Sequence, residues 1–285
     1  MEKVYVVTDS TADIPKEVVN SLGIVVIPLK VHLNNETHLD GETITADEFY
    51  RKLEDSEDLP TTSQPSPVAF IDVYKKLAAQ EGAKIISIHL SSALSGTVQS
   101  AQLAKTMLEE EGIEVTVIDS RKASYSIGII VVGIAEAIKS GKSYNECVEL
   151  VNKLVEETQV YFLVETLLYL HKGGRIGKAS HLFGSLLNIK PILSLNKQGE
   201  VYPIDKVRGS NKALLKIFDY FKEYAKDEKL RAGISHAANL EEAKKIEQKL
   251  REEFNIQEFV MTDIGPVIGT HVGPGTIAIT MHKIL

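Results

Sequence analysis

The stretch Ile85-Ile86-Ser87-Ile88-His89-Leu90-Ser91-Ser92-Ala93-Leu94-Ser95-Gly96-Thr97-Val98 decides the fold. Ile85 to Ile88 is a short run rich in isoleucine, of the kind that forms a strand buried within a parallel sheet. A loop of serines and a glycine follows, then a helical stretch from Val98 to Glu110. A second apolar run, Val115-Thr116-Val117-Ile118, leads through another polar loop to Ile127–Lys139. Strand, polar loop and helix in repeated succession predict an α/β architecture. Outward toward the start, Val4 to Thr8 is a β-branched and aromatic run, followed by the polar loop Asp9-Ser10-Thr11-Ala12-Asp13. A helix comes next, with Pro15 near its first turn and Gly23 beyond its end, and Ile24-Val25-Val26-Ile27 forms another buried strand.

Outward in the other direction, Ser143 and Glu146 stand at capping-box spacing and open a helix running toward Thr158. The domain boundary is expected at its end. Residues 1–157 then form a Rossmann-like parallel sheet with flanking helices, and residues 158–285 a smaller α+β domain. In the second part Val160 to Val164 reads as a strand and Ala179 to Leu187 as a helix. Ile192-Leu193-Ser194-Leu195 and Val201-Tyr202-Pro203-Ile204 read as a hairpin turning at Asn196-Lys197-Gln198-Gly199. An amphipathic helix around Leu214 to Tyr224, a charged helix from Leu240 to Phe254 and strands at 232–235, 259–261 and 277–281 complete the chain.

The 285 residues carry 32 Lys and Arg against 39 Asp and Glu, a net charge of −7. Gripping nucleic acid by counterion release needs a basic face, and no run of like charge supplies one. The longest uninterrupted apolar or glycine stretch, Ile127 to Ala135, is nine residues, far short of the ~20 of a membrane-spanning helix. Met1-Glu2-Lys3 leads straight into the first strand without a signal peptide, which predicts a cytoplasmic protein. The single Cys147 forbids an intrachain disulfide and a thiolate metal cluster, and the histidines show no metal spacing. At 44% hydrophobic content the chain can bury a sizeable core.

Four loops collect small hydroxyl residues and glycines beside the apolar runs, where open α/β sheets bind ligands. Asp9-Ser10-Thr11 has the residue types that cap helix amides. Pro60-Thr61-Thr62-Ser63-Gln64-Pro65-Ser66-Pro67 holds its hydroxyls on a stiff segment. Ser66 suffices to cap the helix at Pro67, so Thr61, Thr62 and Ser63 are surplus donors. Ser91 to Thr97 precedes a helix start, whose amides attract anions. Gly265-Pro266-Val267-Ile268-Gly269-Thr270-His271-Val272-Gly273-Pro274-Gly275 reads as a loop in which glycines bracket one imidazole. Lys172 to Lys178, with Lys206, Arg208 and Lys212, is either a solvated basic surface or, through Arg175, a fork donor for an oxyanion or an acidic partner. A hydrolase elbow around Ser95 would need glycine at Ala93 and Thr97, and Glu136 stands where a Walker loop ending at Lys142 and Ser143 needs its first glycine.

Thr8-Asp9-Ser10-Thr11, Thr62-Ser63-Gln64-Pro65, Leu94-Ser95-Gly96-Thr97, Lys172-Gly173-Gly174-Arg175-Ile176, Asn188-Ile189-Lys190-Pro191-Ile192 and Gly269-Thr270-His271-Val272-Gly273-Pro274-Gly275 occur in one order from end to end. Together they resemble the DegV family of bacterial fatty-acid-binding proteins. The resemblance implies a non-catalytic carrier that encloses one long-chain, palmitate-like fatty acid. Thr62 and Ser95 would hold the carboxylate, the Gly96 amide would assist, His271 would join the network, and Arg175 would lie near the head group. It further implies presentation of that carboxylate to a separate fatty acid kinase subunit, for acyl-phosphate formation in phospholipid synthesis, with Arg208 at the docking position. No cofactor or metal is implied. The residues alone leave two competitors open: an acyl hydrolase using Ser95 and His271, and a sensor of another anionic small molecule.

Overall fold

The computed structural model describes residues 3–80, 82–184 and 189–284. In chain order the first half runs β1 (Lys3–Asp9), α1 (Lys16–Leu22), β2 (Val25–Ile27), β3 (Lys30–Leu33), β4 (Glu36–Leu39), α2 (Ala46–Glu54), β5 (Thr61–Ser63), α3 (Pro67–Ala78), β6 (Ala83–His89), α4 (Thr97–Leu108), β7 (Glu114–Asp119), α5 (Tyr125–Lys139) and α6 (Tyr144–Glu157). The second half runs β8 (Gln159–Leu163), α7 (Leu168–Lys172), β9 (Ile189–Leu195), β10 (Val201–Arg208), α8 (Ser210–Ala225), β11 (Leu230–His236), α9 (Leu240–Glu253), β12 (Ile256–Asp263), α10 (Pro266–Val272) and β13 (Ile277–Lys283).

The expected parallel sheet is present in the order β2-β1-β6-β7, with every neighbouring pair parallel. A separate mixed sheet has the order β10-β9-β8-β13-β11-β12. Its one parallel pair is β11 with β12. The hairpin of β9 and β10 holds the turn expected at Asn196–Gly199, where the Asn196 carbonyl accepts the Gly199 amide at 2.8 Å. Ser143 caps α6 with the full capping box, and Ser66 caps α3 through the Ala69 amide.

The nine-residue apolar run belongs to α5, which packs between β1 and β6 on one side and β11 and β13 on the other. A helix that is apolar on all faces is stable only where all faces are buried, and Ile127, Ile129, Ile130, Val131 and Ile134 have no exposed surface. Arg231 of β11, 9% exposed, forms ion pairs with Glu136 of α5 and Glu258 of β12.

Three parts of the sequence reading change. Gly177–Leu182 is a 3-10 segment ending at an extended Phe183, because positive φ at Gly177 and Gly184 turns the chain out of a helical path; residues 185–187 of the helix expected there lie outside the described residues. The glycine-bracketed 265–275 loop contains the two-turn helix α10, with Pro266 at its first position and Gly273 at φ 76° ending it. A small antiparallel sheet, β4-β3-β5, stands where no strand was expected. Its strands have three or four residues each, too few to show a period.

Candidate functional site

β1, β6 and β7 run parallel, so the polar loops that follow Asp9, His89 and Asp119 leave the same edge of the sheet. A cavity is walled by residues of the loops after His89 and Asp119, of the mixed sheet and of α10. Most of its wall is apolar, with Leu90, Leu94, Val160, Phe162, Val267 and Val272 among the contributors. The polar side chains on it include Thr62, Gln64, Ser95, Arg175 and His271.

The pairing of β5 with β3, Val31 opposite Thr62, fixes which hydroxyl enters. Alternation sends Thr62 one way and its neighbours the other. Thr62 Oγ1 is 2.8 Å from His271 Nε2, while Ser63 Oγ is 3.0 Å from His32 Nε2 and Thr61 is exposed. Of the three surplus donors, Thr62 lines the cavity and Thr61 and Ser63 do not.

His271 rides on the last turn of α10 and packs against Gly173, where an added Cβ would overlap Nδ1. Burial first, and the Arg175 guanidinium second, push its pKa down to about 4, so the ring is neutral near pH 7. Nδ1 is buried without a partner. A bare acceptor there costs less than an orphaned N–H, which puts the proton on Nε2. Nε2–H then donates to Thr62 Oγ1, and the Thr62 O–H is left to donate to a ligand.

Arg175 is oriented by two backbone acceptors, Leu94 O at 3.0 Å from Nε and Gly173 O at 2.7 Å from Nη1. The first of these ties it to the loop carrying Ser95. Ser95 Oγ lies 2.9 Å from Thr97 Oγ1 at the start of α4. Gly96 begins α4 against Gln64, whose amide nitrogen is 3.0 Å from where a Cβ would stand. Gln64, rather than Gly96, lines the cavity. The Ser–His pairing that a hydrolase would use is not made, since Ser95 is bonded to Thr97 and His271 to Thr62. Arg208 is exposed at the end of β10, away from the cavity wall.

Sequence reasoning missed Gln64 as a lining residue, although it sits inside the quoted Thr62–Pro65 motif. It also missed Ser124, which lines the cavity at an unusual φ of 56°. His89 has a structural role: Nδ1 is 2.9 Å from Asp9 Oδ2 and Nε2 is 2.6 Å from Ser87 Oγ, which is in turn 2.8 Å from the Tyr74 hydroxyl. Among the described residues no group of three or more His, Cys, Asp or Glu is placed to hold a metal ion, and no helix is long and apolar enough to cross a membrane.

Residues 3–283 match the family model described as "Uncharacterised protein, DegV family". A DegV domain-containing protein of Caldanaerobacter subterraneus subsp. tengcongensis is 38% identical over 284 residues, covering 99% of this chain and 100% of the relative. A solved DegV family protein from Thermus thermophilus, described for its fatty acid binding, superposes with a TM-score of 0.92 at 36% identity, covering 99% of this chain and 100% of that one. DegV from Bacillus subtilis, described as a fatty acid binding protein, gives a TM-score of 0.91 at 35% identity over the full length of both chains. Matched from end to end in sequence and in fold, the chain belongs to the DegV family.

Proposed function

We propose that this chain binds one long-chain fatty acid, with the carboxylate at Thr62, Ser95, His271 and Arg175 and the acyl chain along the apolar wall. The observation that carries the reading is the Thr62–His271 contact, with Arg175 and Ser95 beside it, in a cavity whose wall is mostly apolar. A carboxylate leaving water needs several charge-assisted donors. The free Thr62 hydroxyl, the Ser95–Thr97 hydroxyl pair and the Arg175 guanidinium offer them, and the tail adds about 0.8 kcal/mol per buried methylene before ordering costs. Fatty acid binding by the solved relatives supports the same assignment.

In this reading residues 1–157 and 158–285 act as two domains that close on the ligand, the first bringing Thr62 and Ser95 and the second Arg175 and His271. The protein is a carrier that presents the head group to a fatty acid kinase subunit, with exposed Arg208 in the docking surface. Native mass spectrometry followed by solvent extraction tests the core of the proposal. A mass excess matching a fatty acid of about sixteen to eighteen carbons is expected from the tail-burial argument. A protein that is empty and also refuses added palmitate overturns it. The kinase step is tested separately: Arg208→Glu should keep the lipid and slow acyl-phosphate formation by a cognate kinase, and an unchanged rate removes Arg208 from docking.

A further inference from the structure

The Asp9–Asp13 loop is used by nothing in the binding reading, yet Asp13 reaches the start of the helix that carries His271, and Ser10 holds Asp40 beside it. Asp13 adopts φ 48°, a left-handed conformation that Asp tolerates better than most residues. Its Oδ1 accepts the Gly265 amide at 3.0 Å, its Oδ2 accepts the Ser124 hydroxyl at 2.5 Å, and its carbonyl accepts the Thr262 hydroxyl at 2.9 Å. Asp40, 4% exposed, accepts the Ser10 hydroxyl at 2.8 Å, and the dipole of the nearby Val267 amide favours its charged form. Ser10 Oγ in turn accepts the Leu29 amide at 3.0 Å. Gly265 lies between the two carboxyl groups: a Cβ there would stand 2.7 Å from Asp13 Oδ1 and 3.2 Å from Asp40 Oδ1.

The Gly265 amide that Asp13 takes is at the N-cap of α10 and the Val267 amide near Asp40 is at its second residue, positions where an α-helix has no partners of its own. No side chain of α10's own N-cap can supply one, because that residue is glycine. Six residues further on, roughly 9 Å at helical rise, His271 meets Thr62. The side chains that reach the start of α10 come from loops of the first half of the chain, the same half that contributes Thr62 and Ser95. Ser124, which donates to Asp13, and Leu29, whose carbonyl accepts the Asp40 amide at 2.9 Å, line the ligand cavity.

We propose that Asp13 and Asp40 form a clasp on the start of α10 and act as positioning residues for head-group recognition, setting the height and rotation of the helix so that His271 Nε2 meets Thr62. The clasp does not touch the ligand. It acts through His271, from a cleft at the start of α10 lined by Asp13, Asp40, Thr262 and Gly265. Burial also favours the protonated form of both carboxyl groups, and Asp40 is raised to about 7 with buried Asp9 nearby contributing.

The inference rests on the fatty-acid reading only for its affinity arm, so the test has two arms. In delipidated protein, the ring resonances of His271 are followed by NMR through a pH titration in the parent, Asp40→Ala and Gly265→Ala. Both variants should move the resonances and raise the midpoint from about 4 toward the ordinary 6.5 as the ring leaves its seat. Asp40→Asn, which keeps an acceptor for the Ser10 hydroxyl, should resemble the parent. Palmitate binding forms the second arm: a tenfold or greater loss is expected for Asp40→Ala alone, with no further loss when His271→Ala is already present. Unchanged His271 resonances in folded Asp40→Ala or Gly265→Ala protein overturn the clasp, as do losses that add in the double variant. Gly265→Ala carries the test if Asp40→Ala does not fold. Failure of parent protein to bind palmitate sinks the fatty-acid reading and leaves the resonance arm standing.

Discussion

At the scale of single residues, Thr62 and His271 form one unit. The imidazole spends its only proton on the threonine oxygen, and that choice frees the threonine proton for the ligand. Thr62→Val keeps the shape and removes the donor, and a hydrogen bond to a charged group contributes about 1.5–3 kcal/mol. Palmitate affinity should therefore fall roughly tenfold to a hundredfold, measured by calorimetry, with the melting temperature little changed; parent-like affinity removes Thr62 from the head-group site. The histidine makes a second, pH-dependent prediction. In the unfolded chain it takes up a proton near the ordinary 6.5, and in the empty folded protein only near 4. Between those values the unfolded chain binds more protons, so this residue contributes a loss of stability as pH falls from 6.5 to 4. His282, buried and also held near 4, acts in the same sense. A carboxylate bound at Thr62 and Arg175 favours the imidazolium, so loading with palmitate should raise the His271 midpoint in an NMR titration. A midpoint that does not move places the head group elsewhere.

At the scale of elements, the site depends on close approach between short pieces. α7 ends at Gly173, and its missing side chain is the space that His271 of α10 occupies. Gly173 has an ordinary helical φ of −75°, so alanine is conformationally acceptable there and acts only through the collision. Gly173→Ala should push the imidazole off Thr62, weaken palmitate binding at least tenfold and cost about 1–3 kcal/mol of stability by overpacking. Parent-like binding in urea-stable protein would mean that α7 and α10 have room to part. The same elements show what the sequence discloses and what it hides. Strands β1, β6 and β7 and helix α5 are long and strongly patterned, so their order and the edge they open are readable from residues alone. Helix α10 is masked because Gly265, Gly269 and Gly273 suppress any helical signal. Gly269 is glycine because a Cβ would stand 2.6 Å from the Tyr50 hydroxyl, a partner more than two hundred positions away in the chain. The clasp at Asp13 and Asp40 and the lining role of Gln64 are hidden for the same reason: long-range packing chooses them. Thr62, Ser95, Arg175 and His271 were found as motif residues, and the apolar wall was not, because lining residues and core residues have the same composition.

At the scale of the whole molecule, the cavity takes its walls from loops of the parallel sheet and from β8, β9, β10, α10 and β13, so a bound ligand bridges parts of the chain that no single strand pairing joins. Unfolding dismantles every wall together, and the unfolded chain offers the ligand no comparable site. Binding must therefore stabilise the folded protein, by about 2.7 kcal/mol when free ligand stands at a hundred times its dissociation constant. For a chain of this size that corresponds to a rise in melting temperature on the order of 5 °C. The head group and the tail contribute separately, and calorimetric scans can divide them. Palmitate added to delipidated protein should give the full rise. Methyl palmitate, with the same tail and no charge for Arg175 and Thr62 to meet, should give a clearly smaller one. Equal rises from acid and ester would locate the affinity in the apolar wall alone and leave the polar cluster without a role in retention. No rise from either, in protein shown to be empty, would mean that the cavity does not take a long acyl chain at all.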